Sequence, residues 1–176
     1  AAQRAISVVT ADPERLVLFG ITPAFPATGY GYIERGDAVP NSPGAFDVKS
    51  FREKPALELA EQYLQSGQFY WNCGIFCWRA ATILKQLGQH EPEMLERLQK
   101  VAQTIGTDQY TSVLRAEFPR MNSISIDFAV LEKATTATVI EAPFTWDDVG
   151  SWLAVPRLSG TDEQGNTCSG NTLAVD

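Results

Sequence analysis

The chain has 176 residues, a formal net charge of −7 and an apolar fraction of 44%, which excludes a disordered polyelectrolyte and suits one globular domain with a real core. No apolar run approaches the length of a membrane span. The lysines and arginines are scattered and the sequence pI is about 4.7, so neither nucleic acid nor an anionic membrane surface is an expected partner, although a few placed cations can still bind phosphate locally.

In chain order, residues 1–9 read as the tail of a helix and show no secretory pattern. Leu16–Ile21 is a continuous β-prone run ended by Thr22-Pro23, as expected of a central strand buried on both faces. Pro23, Pro26 and Gly29 mark a loop leading into Tyr30-Gly31-Tyr32-Ile33. Phe46, Val48 and Ser50 alternate with Asp47, Lys49 and Phe51, a half-buried strand that ends in Phe51-Arg52-Glu53-Lys54-Pro55. Leu57, Ala60, Glu61 and Leu64 share one face of a short helix that Ser66-Gly67 terminates.

A strand follows at residues 69–79, and Ile83, Leu84 and Leu87 form a helical stripe closed by Gly88. Pro92 opens another helix, with Leu95, Leu98, Val101, Ala102 and Ile105 on its buried side before Gly106. Thr107 or Asp108 could cap a helix carrying Tyr110, Val113 and Leu114, and Ser125 could cap one through Ala129, Val130 and Glu132. Gly165-Asn166-Thr167 recurs as Gly170-Asn171-Thr172, which suggests successive turns between very short strands. The alternation predicts a mixed α/β layered domain.

Four clusters could carry chemistry. In FREKP, Glu53 is an acceptor-only carboxylate suited to sugar hydroxyls, and Lys54 is a compact cation suited to a phosphate. On a regular strand the two would point to opposite faces, which would leave at least one of them solvated. In Tyr70-Trp71-Asn72-Cys73-Gly74, the Asn72 amide could serve a ligand hydroxyl or organise a tight turn. In Trp146-Asp147-Asp148-Val149-Gly150-Ser151-Trp152, the paired carboxylates suit Mg2+, and they equally suit the N-cap of a helix beginning near Ser151; one aspartate could serve each purpose. Gly29-Tyr30-Gly31-Tyr32 could let backbone approach a sugar or form a simple turn. Three cysteines, Cys73, Cys77 and Cys168, fit a reducing cytoplasm, and with His90 alone to join them they argue against zinc. His90 itself reads as a surface residue at a helix start.

The ordered motifs TGYGYIERG, FREKP, YWNCGIF, SISIDFAVLEK and WDDVGSW resemble those of the bacterial mannose-1-phosphate guanylyltransferases, a sugar nucleotidyltransferase family, from about Leu16 to Gly170. The resemblance implies a Rossmann-like mixed sheet flanked by helices, and transfer from GTP to mannose 1-phosphate to give GDP-mannose and pyrophosphate, with Mg2+. It implies that Gly31, Glu53 and Asn72 line the mannose pocket. Lys54 would bind the sugar phosphate and act in catalysis, and Asp148 would be a catalytic metal ligand. It leaves room for a homo-oligomer and implies a cytoplasmic enzyme without nucleic acid or membrane partners.

Two departures, Cys73 in place of the usual serine and Arg52 in place of the usual valine, sit beside pocket positions. A larger one is that the chain has no GxGTR-type loop and no Walker-type GxxxxGK. The expectation is therefore a domain incomplete at its N-terminus. Residues 1–160 would supply the sugar-phosphate side and 161–176 would start a β-rich segment, with the fragment alone inactive and exposing an apolar strand edge. Two other readings stay open: a related enzyme for another base or sugar, and a noncatalytic sugar-phosphate module.

Overall fold

The structure, a computed structural model, describes residues 1–150, 152 and 154–172. It separates into two compact units, Ala1–Pro143 and Phe144–Asp176. The functional division expected at 160/161 is a different matter from this division by contact.

The first unit is built on five strands, β1 (Leu16–Ile21), β2 (Gly31–Ala38), β3 (Ala45–Glu53), β4 (Phe69–Cys77) and β5 (Ala137–Glu141). Helices α1 (Ala2–Ala11), α2 (Leu57–Ser66), α3 (Ala80–His90), α4 (Pro92–Ala102) and α5 (Tyr110–Glu117) accompany them, with a 3-10 turn at Phe118–Arg120 and a π-helical turn at Asp127–Leu131. β1 is buried along its whole length, as its unbroken apolar run requires. Leu16 and Leu18 join Ile33, Phe51, Tyr70 and Val139 in the main core cluster. Helix α1 packs on β1 and β4 and buries Ala5, Val8 and Val9.

The α/β class and the mixed sheet are as expected, but the sheet closes on itself in the order β1-β4-β2-β3-β5. β1 runs parallel to β5, and the other four pairings are antiparallel. The expected exposed strand edge is therefore corrected: β5 pairs with β1 on one side and with the start of β3 on the other. Arg15 holds that seam, since its Nη1 donates to Asp47 Oδ1 of β3 and to Thr138 Oγ1 of β5, each at 2.6 Å. Thr138 is fully buried, so a charged donor satisfies what would otherwise be an orphan hydroxyl acceptor. The sequence reading missed β5: Thr138, Val139 and Ile140 are β-branched and Pro143 follows, but five residues are too short a run for periodicity to mark a strand.

Closure crowds the interior at Gly20. A Cβ there would stand 2.6 Å from Tyr70 Cβ and 2.7 Å from Val139 Cγ2. Gly20→Ala is accordingly expected to destabilise the protein by about 1–3 kcal/mol through overpacking, and denaturant unfolding midpoints would measure it.

Several boundaries differ from the sequence reading. Gly67 ends α2 in a left-handed C-cap, as expected. Gly88, by contrast, lies inside α3, which continues to His90; a mid-helix glycine costs only about 1 kcal/mol, so packing overrides it. α4 stops at Ala102 and leaves Ile105 68% exposed rather than buried. Neither Thr107 nor Asp108 caps α5, whose N-cap is Gln109 without a side-chain bond; the Thr107 hydroxyl instead donates to Thr104 O in the preceding turn. The element after Ser125 is the π-turn, closed by Glu132 N donating to Asp127 O at 2.9 Å.

In the second unit, α6 (Ala154–Ser159) is followed by a turn in which Asp162 Oδ1 accepts from Gln164 N and Asn166 N. The repeated Gly-Asn-Thr runs do mark turns, but residues 160–172 hold no strand. The helix start expected near Ser151 and the last four residues of the expected β-rich segment lie outside the described residues.

Candidate functional site

The β2–β3 register sets Gly31 opposite Glu53. A side chain at Gly31 would collide with the Glu53 carboxylate and stand 3.3 Å from Asn72 Cβ. The glycine is therefore needed for close approach, and Gly31, Glu53 and Asn72 form one constellation above Phe51, whose ring would be 3.3 Å from the same Cβ.

Lys54 joins them through an unusual backbone. Its φ is +47°, in the left-handed region that costs a side-chain-bearing residue about 1–2 kcal/mol. Pro55 disfavours the right-handed helical alternative for the residue before it, and Lys54 N donates to Tyr30 O at 3.2 Å. This turn cancels strand alternation. Instead of pointing away from Glu53, the Lys54 ammonium lies 3.5 Å from Glu53 Oε1, with the lysine side chain 65% exposed and the glutamate 15% exposed. An enclosed acceptor thus stands next to a cation that faces solvent.

The Asn72 amide is bonded within the protein through both its oxygen and its nitrogen. Its Oδ1 accepts from Gly74 N at 3.1 Å inside β4, where the register with β1 shifts, rather than in the tight turn expected, and its Nδ2 donates to Asp127 Oδ1 at 3.0 Å. One amide hydrogen is left for a further acceptor. Asp127 is the residue that sequence reasoning missed. It opens the π-turn, whose Ala129, Val130 and Leu131 are buried in the core, and that anchoring brings its carboxylate to Asn72. The only available signal was its place in SISIDFAVLEK, an acid just ahead of an apolar run.

Burial pushes the Glu53 carboxyl above its ordinary range, and the Asp127 charge adds to that effect. Lys54 works in the opposite direction, and Glu132 adds a smaller upward push. Two carboxylates, one amide and one cation in this arrangement can hold a polyhydroxyl group by its O–H donors and an anion beside it.

Asp148 belongs to the second unit. Arg157 forms a two-point bond to Asp147, at 2.9 and 3.0 Å, whereas the Asp148 carboxylate has no such partner among the described residues. No group of three or more His, Cys, Asp and Glu side chains is gathered for a metal among the described residues. A single free carboxylate still fits Mg2+, which takes one or two carboxylates and fills its remaining positions with phosphate and water. Among the described residues no helix is long and apolar enough to cross a membrane.

The family model described as nucleotidyl transferase matches residues 2–165. A mannose-1-phosphate guanylyltransferase of Klebsiella pneumoniae is 43% identical over 164 residues, covering 92% of this chain and 35% of that protein. One from Escherichia coli (strain K12) is 37% identical over 166 residues, covering 93% and 35%. The crystal structure described as a mannose-1-phosphate geranyltransferase from Thermus thermophilus aligns with a TM-score of 0.71 at 31% identity, covering 92% of this chain and 45% of that one. The chain spans little more than a third of the length of the curated relatives it matches.

Proposed function

Since the chain belongs to the nucleotidyl transferase family, we propose that it supplies the sugar-phosphate side of a mannose-1-phosphate guanylyltransferase, which makes GDP-mannose and pyrophosphate from GTP and mannose 1-phosphate. The observation that carries this reading is the convergence of Glu53, Lys54, Asn72 and Asp127 around Gly31. The names of the relatives support the choice of mannose and guanosine.

In this reading Glu53 and Asp127 accept hydrogen bonds from sugar hydroxyls, and Asn72 donates its remaining amide hydrogen. Gly31 leaves room for the ring. Lys54, exposed beside the enclosed carboxylate, meets the 1-phosphate. A phosphate oxygen of the sugar then forms a bond to the α-phosphorus of GTP in line with the breaking bond to the bridging oxygen, and pyrophosphate departs with that electron pair. The attacking oxygen is already ionised, so no side-chain base is required.

Two polyanions must approach each other, so Lys54 contributes by offsetting their repulsion and the charge that develops at phosphorus. The pocket fixes the angle of attack. Members of the family generally work with a divalent metal; here it would be Mg2+, held by Asp148 and by phosphate oxygens, and it would neutralise phosphate charge when bound. The expected setting is the cytoplasm, with mannose 1-phosphate and GTP as the partners.

A panel of nucleoside triphosphates against mannose and glucose 1-phosphates, with pyrophosphate release as the readout, tests this on the protein that carries the chain. GTP with mannose 1-phosphate should exceed the other pairs by roughly tenfold or more, the discrimination available to a site built on polar contacts. Equal turnover with another pair would point to a different nucleotidyltransferase. Binding of the sugar phosphate with no pyrophosphate released from any pair would point to the noncatalytic module.

A further inference from the structure

The run 146–150 holds a second carboxylate that the reaction above does not use. Arg157, on α6, donates from Nε to Asp147 Oδ2 at 3.0 Å and from Nη2 to Asp147 Oδ1 at 2.9 Å. This parallel fork is the strong, orienting form of an ion pair. The Asp147 side chain is 14% exposed and that of Arg157 is 42% exposed, so the acid is the enclosed member. The neighbouring carboxylate is free among the described residues. Asp148 Oδ2 would lie 3.1 Å from a Cβ at Gly150, and Gly150 N donates to Asp148 O at 2.7 Å. The turn is therefore tight, and the missing side chain at Gly150 is what gives the Asp148 carboxylate its space.

We propose that Asp147 is a positioning residue: the Asp147–Arg157 fork anchors the turn to α6 and presents Asp148 alone to a divalent cation. The inference rests on the reading of Asp148 as the cation ligand. The fork takes one lone pair on each Asp147 oxygen and sets a guanidinium charge beside them, which repels a cation and makes Asp147 the poorer ligand of the two. The pair thus divides into an anchor and a ligand. Their order in the chain does not decide which is which; the position of Arg157 on α6 does.

Mn2+ binding to the whole protein, read from the electron paramagnetic resonance signal of the free ion, separates the possibilities. Asp147→Asn and Arg157→Gln should each weaken Mn2+ binding by roughly tenfold, the usual scale for groups that orient a metal ligand. The double variant should fall well short of the product of the two single effects, because both single variants remove the shared fork. Arg157→Lys keeps the charge but loses the fork, so it should weaken binding in the same direction with the charge balance unchanged. If Arg157→Gln binds Mn2+ as tightly as the parent or more tightly, the positioning role is overturned; tighter binding would mean that Asp147 is itself a ligand restrained by the arginine. Asp148→Asn serves as the separate control. Unchanged binding in that variant sinks the ligand reading, whereas lost binding there with unchanged Asp147→Asn and Arg157→Gln sinks the positioning role alone.

Discussion

Lys54→Ala is expected to lower kcat/KM for sugar-nucleotide formation by about 10²–10³-fold, the scale of losing one placed charge-stabilising donor, while the protein stays folded. The side chain is mostly exposed and its contact with Glu53 is at 3.5 Å, so its removal costs little packing. The backbone allows a sharper form of the test. Alanine inherits the strain of the +47° φ and glycine does not. Lys54→Gly should therefore be more stable than Lys54→Ala by about 1 kcal/mol, and equally inactive. Steady-state kinetics and denaturant unfolding of the two variants check both statements together. Normal turnover in either variant would remove Lys54 from the reaction.

Glu53→Gln should weaken the sugar phosphate by about 10–100-fold in KM, given that a hydrogen bond to a charged group contributes roughly 1.5–3 kcal/mol, and should stabilise the ligand-free protein at neutral pH. The sign follows from the raised carboxyl. Between its ordinary value of 4.5 and its raised native value, the folded state binds more protons than the unfolded state. Stability therefore falls as pH rises through that window, and the loss is complete above it. Glutamine has no proton to lose, so the variant should show none of this decline. Melting temperatures of both proteins measured from pH 4 to pH 8 should draw apart as pH rises, with the variant higher. Parallel curves would mean that Glu53 ionises in the fold as easily as in the unfolded chain. On the proposed reading, such a carboxylate is kept at a cost in stability because an ionised acceptor, enclosed among groups it can serve, is what a sugar hydroxyl needs.

Asp127 acts on the same balance from the π-turn. Its charge raises the Glu53 carboxyl and its oxygen holds the Asn72 amide, so two sequence-distant segments are coupled at one point. The π-turn makes this coupling possible. A regular helix would need one residue fewer per turn, and the extra residue keeps Asp127 at the site while Ala129, Val130 and Leu131 stay in the core.

Much of the scaffold could be read along the chain. The apolar run of β1, the alternation of β3 that ends in Glu53, the Gly67 cap of α2 and the Pro92 start of α4 are all set by neighbours a few residues apart, so composition and periodicity sufficed. The candidate residues Gly31, Glu53, Lys54 and Asn72 were also legible, as residue types in short motifs. What those residues share was not. Strand alternation alone would have sent Glu53 and Lys54 to opposite faces; a left-handed backbone at Lys54, bonded to Tyr30, brings them together. β5 carries too weak a local signal to be seen, yet through Arg15, Asp47 and Thr138 it closes the sheet. Asp147 and Asp148 are the same side chain in adjacent positions, and only an arginine ten residues away tells them apart. Sequence by itself determined the elements and the chemical vocabulary of the site, because both depend on local propensity and residue type. Tertiary structure alone decided which groups meet, which are enclosed and which stay unpaired, because register, closure and ion pairing join residues that no short window contains.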